Sequence, residues 1–131
     1  MRRMAGQRHL EVIVEEEGVR TTVVVAPVSD SAFRVAECVW LVESFSFDDV
    51  IELARTQGEE VFRFVRVIRP SALVRTTALL SERAAASPEL DALLDEVLVA
   101  GGYWERALGG GVFIAMPAKG DARLAERLRH L

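Results

Sequence analysis

The chain has little of several residue types on which specialised chemistry depends. One cysteine, Cys38, among 131 residues excludes an intramolecular disulfide and a CxxC metal site, and with them the usual signature of an oxidising compartment. Only two histidines are present, His9 and His130 near opposite ends, without HExxH-like spacing, so no metal site is expected. No apolar run approaches the ~18 residues of a membrane-spanning helix. The basic opening Met1-Arg2-Arg3 leads to Gly6-Gln7-Arg8-His9 instead of the apolar stretch of a secretory leader. A cytoplasmic location without membrane contact is therefore the expectation. Lysine is nearly absent: of 16 basic residues only Lys119 is not arginine. The net charge of −4 leaves no long-range basic field to attract nucleic acid.

What is present is ordinary globular composition, half apolar and 27 % charged, in a length that suits one domain. Leu10, Val12 and Val14 alternate with Glu11 and Glu15 and, after Gly18, the β-branched run Thr21 to Val25 stops at Pro27, which predicts two paired strands. Phe33 to Glu43 reads as a further strand covered on both faces. Residues 46–53 suit either a short helix or a strand; a strand pairing across Thr56-Gln57-Gly58-Glu59 with Val61 to Arg69 is favoured. From about residue 71 the character changes. A strand over Ala72 to Leu80 is followed by Ser87-Pro88-Glu89, with an N-cap serine, proline at the first helical position and an acid in the first turn. Leu90, Leu93, Leu94, Val97 and Leu98 then recur at helical spacing up to Gly101. Two strands around Gly109-Gly110-Gly111 and a terminal helix bearing Leu124, Leu128 and Leu131 complete the chain.

The expected fold class is α+β. Its β-rich N-terminal half, about 10–70, forms a small twisted antiparallel sheet or partial barrel. The second half, about 71–131, is a β-α-β-β-α ferredoxin-like unit lacking its last strand, which leaves an open sheet edge.

The glycine cluster lacks both the Walker spacing and the strand-GxGxxG-helix context of a phosphate loop, so its glycines are assigned to a hairpin turn. Asp48-Asp49, with Glu52 nearby, is the best candidate for paired carboxylates or Mg²⁺ binding, against a turn or cap role. Alternation puts Tyr103 and Glu105 on one face of their strand and Trp104 and Arg106 on the other; either face could wall a pocket. Cys38, in an apolar run, reads as an inert thiol. Strict alternation places Arg63 and Arg69 on one strand face and Arg66 on the other, which breaks any continuous basic stripe, and Phe62 and Phe64 read as core. No catalytic residue and no cofactor is assigned.

Taken in order, Phe33-Arg34-Val35, Phe47-Asp48-Asp49-Val50-Ile51, Val74-Arg75-Thr76 and Gly101-Gly102-Tyr103-Trp104-Glu105, then Ala115-Met116-Pro117, Leu124 and Leu128, resemble a widespread bacterial family of uncharacterised proteins, catalogued only as a domain of unknown function. The resemblance spans about residues 10–131. It implies a compact bacterial domain with a β-rich first half, and no catalytic residue.

The leading reading is a non-enzymatic protein-interaction or regulatory module with a protein partner and a capacity to form a homodimer, acting through an acidic face or the sheet edge. The second is a small-molecule binder or enzyme with a pocket between the halves, lined by Asp48, Asp49, Arg75, Tyr103 and Glu105. Nucleic-acid binding through Arg63, Arg66, Arg69 and Arg75 ranks last.

Overall fold

The computed structural model describes residues 8–40, 42–58, 60–107, 109–117 and 123–131. Met1-Arg2-Arg3, Gly6-Gln7, Glu59 and Lys119, which entered the sequence expectations, lie outside them. The described residues form an α+β fold of eight strands and three short helices, divided between Ser71 and Ala72 into two compact units.

The first unit begins with β1 (Leu10–Glu16) and β2 (Val19–Pro27), paired antiparallel from Leu10 opposite Val25 to Glu16 opposite Val19. The two-residue turn is Glu17-Gly18, with φ of 52° and 82°. Positive φ at both positions belongs to the type I′ turn, whose twist matches that of the flanking strands. Next come β3 (Ala32–Val35), β4 (Val50–Arg55) and β5 (Val61–Arg69), and the five strands close into a barrel in chain order. Neighbours are antiparallel except β1 and β5, which pair in parallel through Ile13–Glu15 and Val61–Arg63. An odd-numbered meander can close only this way, because its first and last strands point in the same direction. The half expected as a small twisted antiparallel sheet or partial barrel is a closed five-stranded barrel. Every strand contributes apolar side chains to one interior, and closure pairs edges that an open sheet would leave exposed.

Val14, Val23, Val25, Phe33, Val35, Phe45, Ile51 and Leu53 form the buried interior, with Phe62, Phe64 and Val67 packed against it. Phe62 meets Phe33 edge-on at 5.6 Å, and Phe64 meets Phe45 at 5.1 Å. The expected strand from Phe33 to Glu43 ends at Val35. The Val35 N–H still donates to Asp49 O and that of Ala36 to Val24 O, but the Val24 N–H donates to the Glu37 carboxylate, where a side chain takes the place of a ladder partner. Val39, Val42 and Phe45 beyond it are apolar because they pack on the barrel interior from a loop, which looks like a two-faced strand to a periodicity count.

The second unit runs β6 (Val74–Leu79), α1 (Glu82–Ala85), α2 (Pro88–Val99), β7 (Tyr103–Ala107), β8 (Gly111–Met116) and α3 (Leu124–Arg129). Its antiparallel sheet has the order β6-β8-β7. Two serines start the first two helices: Ser81 Oγ accepts the Ala84 N–H and Ser87 Oγ that of Leu90. At the far end of α2, Gly101 has φ of 85°. Its N–H donates to Leu98 O and that of Gly102 to Val97 O, the paired bonds of a Schellman cap. Leu90, Leu93, Leu94 and Val97 of α2 and Leu124 and Leu128 of α3 bury against Val112, Ile114 and Met116 of β8, with Trp104 beside them. Trp104 therefore lies on the helix-bearing face of β7, and Tyr103 and Glu105 on the opposite one.

Candidate functional site

The paired carboxylates lie in the connection between β3 and β4. Asp48 has φ of 70°, left-handed backbone that aspartate tolerates better than most residues, and its amide donates to Val35 O. Asp48 Oδ2 accepts the Ser71 hydroxyl at 2.9 Å, and Oδ1 lies 3.7 Å from Arg34 Nε. Asp49 is only 5 % exposed. Its Oδ2 accepts the Ser46 N–H at 2.9 Å and its Oδ1 the Ser71 N–H at 2.7 Å. The carboxylate thus ties its own turn to the segment that follows β5. A group whose two oxygens already hold backbone amides is arranged as an anchor, not as a general base waiting for a substrate proton.

Arg75, Tyr103 and Glu105 belong to the second unit, on the face of its sheet away from the helices. Arg75 and Tyr103 both pair with Ala115, on either side of it; Thr77 and Glu105 flank Phe113 in the next row. Two strand spacings, about 9.6 Å, therefore separate the backbones of Arg75 and Tyr103. The Tyr103 hydroxyl donates to Glu105 Oε2 at 2.5 Å, and its ring meets Phe113 edge-on at 6.5 Å. Tyr103 is buried while Arg75 is exposed. The five proposed site residues thus form two groups, one in each unit.

Strict alternation misplaced the arginines of β5. Its register against β4 shifts twice: Ala54 opposes Arg63 and Leu53 opposes Phe64, but Glu52 opposes Arg66, Ile51 opposes Val67 and Val50 opposes Arg69. Val65 and Ile68 are the extra residues of two β-bulges, and each moves the following arginine to the outer face. Phe62, Phe64 and Val67 face the barrel interior, while Arg63, Arg66 and Arg69 are all exposed on one side. Arg66 Nε contacts Glu52 Oε1 at 2.8 Å. A three-residue repeat of arginine within a β pattern is the sequence signal that could have shown this, since one bulge per two ladder steps gives that spacing.

Cys38 is half-buried in the loop after β3. Among the described residues no group of three or more His, Cys, Asp or Glu side chains is placed to hold a metal ion, and no helix is long and apolar enough to cross a membrane. A groove of about 400 Å³ lies along α2 and α3, lined by Glu89, Leu93, Arg123, Glu126 and Arg127 among others. At its rim Arg127 makes a two-pronged contact with Glu96, Nη1 to Oε1 at 3.0 Å and Nη2 to Oε2 at 2.6 Å. The hydrogen bonds from Arg127 hold the Glu96 carboxyl below its ordinary value. Whatever stability this pair adds is present above the unfolded carboxylate's pKa and is lost as pH falls through the lower folded value. Arg127→Ala should move the Glu96 midpoint up to the ordinary glutamate range in carboxyl-carbon NMR titration. An unmoved midpoint would show that the contact does not form in solution.

No protein-family model matches the chain, and no curated protein matches it in sequence. Among solved structures, a hypothetical protein from Neisseria gonorrhoeae is similar at a TM-score of 0.60, over 97 % of this chain and 87 % of its own, with 15 % identity. At that identity the likeness concerns the fold alone.

Proposed function

We propose that the protein is a non-enzymatic interaction module that binds a protein partner through the outer face of its barrel. The observation that carries this reading is the alignment of Arg63, Arg66 and Arg69 on one exposed face by two successive bulges. Bulges are built features that re-aim side chains, and two in one nine-residue strand turn the same residue type outward each time. The competing reading, a small-molecule binder or enzyme using Asp48, Asp49, Arg75, Tyr103 and Glu105, has less support, because Asp49 accepts two backbone amides and Asp48 accepts the Ser71 hydroxyl. We assign the contact to this basic face, where the sequence pointed to an acidic face or the sheet edge.

We also read the second unit as a ferredoxin-like sheet without its last strand. Support comes from β8 lying between β6 and β7, with the helical connection joining the two outer strands. The resemblance to an uncharacterised bacterial family is in keeping with a structural neighbour known only as a hypothetical protein.

The test uses the whole chain as bait in lysate of its source cell, beside the triple variant Arg63→Gln, Arg66→Gln, Arg69→Gln. A partner captured by the parent and lost with the variant supports the reading. Identical captures by the two baits overturn it.

A further inference from the structure

We infer that the arginine row is the docking surface for an extended, acidic segment of a partner protein. The inference rests on the proposed function and names the chemistry of its partner.

Spacing comes first. Arg63, Arg66 and Arg69 oppose Ala54, Glu52 and Val50, positions two apart on β4. The arginines therefore repeat about every 6.8 Å along the barrel, although they are three residues apart in sequence. An extended polypeptide presents the side chains of one face at this same interval. Carboxylates at alternate positions of such a segment meet successive guanidinium groups in register. Glu52 uses Nε of Arg66, which leaves the two terminal nitrogens of that side chain to receive a second carboxylate.

Access comes second. β1 pairs with β5 only as far as Arg63, so from Phe64 to Arg69 no strand among the described residues lies along the other side of β5. Val65 and Ile68, 39 % and 41 % exposed, stand between the arginines and offer aliphatic contact to the same segment.

The surroundings favour a polypeptide over a nucleic acid. Binding of single-stranded nucleic acid relies on exposed aromatic rings that stack bases, and the two rings of this strand, Phe62 and Phe64, pack on the barrel interior.

The probe is a fluorescein-labelled peptide of about ten residues with glutamate at alternate positions, read by anisotropy against the full chain. It is compared with the same peptide carrying glutamine for glutamate and with oligothymidine of similar length. The glutamate peptide should bind, weaken as salt rises, and lose about tenfold or more in affinity on the triple arginine-to-glutamine variant. A triple arginine-to-lysine variant should keep most of the affinity, which separates loss of charge from loss of fold, and both variants should retain the parent's cooperative unfolding. Equal affinity of the glutamine peptide, or oligothymidine binding as tightly as the glutamate peptide, overturns the inference, as does absence of binding. Such a failure beside arginine-dependent capture from lysate overturns only the partner's chemistry; loss of arginine dependence in that capture overturns the interaction reading itself.

Discussion

Replacing Asp49 with alanine is expected to destabilise the barrel by about 3 kcal/mol, because the amides of Ser46 and Ser71 both lose a charged acceptor in a site closed to water. In urea the midpoint should fall with little change in slope, as expected when stability changes and the unfolded surface does not. Asp49→Asn should fall between the parent and alanine. It keeps one carbonyl oxygen for one amide but turns a donor toward the other, which leaves two N–H groups facing each other. Asp48 provides the internal control. Its side chain is one-third exposed and its φ is 70°, so Asp48→Gly removes a carboxylate and relieves a left-handed backbone together. The two effects oppose each other, and the net change should stay within about 1 kcal/mol. If Asp49→Ala left the midpoint unchanged, the anchor role would be wrong and the buried carboxylate would be open to a functional reading again.

The contrast between the two neighbours marks how far the sequence could be read. Asp48-Asp49 was visible as a carboxylate pair with a turn or cap as its alternative role. The Asp49 carboxylate is held by the amide of Ser71, 22 residues further on, and no local pattern reports such a contact. Local signals served well where the determinants are local. Alternation around Gly18 indicated the first hairpin, and Ser87-Pro88-Glu89 indicated α2 with its cap. They failed where pairing is long-range or irregular. The parallel closure of β1 on β5 joins segments about 48 residues apart, and the apolar stretch after Val35 owes its composition to interior packing from a loop. The one-turn α1 was missed although Ser81 caps it, because four residues are too few to show a helical period. The bulges of β5 are the most instructive case. Counting by twos put Arg66 on the face away from Arg63 and Arg69; the residue inserted at Val65 brings Arg66 to the face of Arg63, and the one at Ile68 brings Arg69 to it as well. The feature on which the functional proposal rests was hidden by the rule used to look for it.

The glycine-rich hairpin supplies the second large effect, and two adjacent glycines separate its causes. Gly109 and Gly110 both have positive φ, 79° and 88°, where an alanine is strained by about 1 to 2 kcal/mol. Around Gly109 there is open space: nothing lies within 4 Å of an added Cβ. At Gly110 the same Cβ would press into the backbone carbonyl of Leu80. That backbone cannot step aside without cost, because the Leu80 N–H donates to Gly110 O at 2.8 Å and fixes the end of β6 against the hairpin. Gly109→Ala should therefore cost about 1 kcal/mol, the backbone strain alone. Gly110→Ala should cost about 3 kcal/mol or more, the strain plus displacement of Leu80 and its hydrogen bond. Urea unfolding of the two variants reads the difference directly. Hydrogen exchange adds a site-specific readout, since the Leu80 amide should lose protection in the Gly110 variant and keep it in the Gly109 variant. Equal losses of stability would mean that only the turn's backbone conformation matters, and that the docking of Gly110 on Leu80 contributes nothing to holding β6 in the sheet.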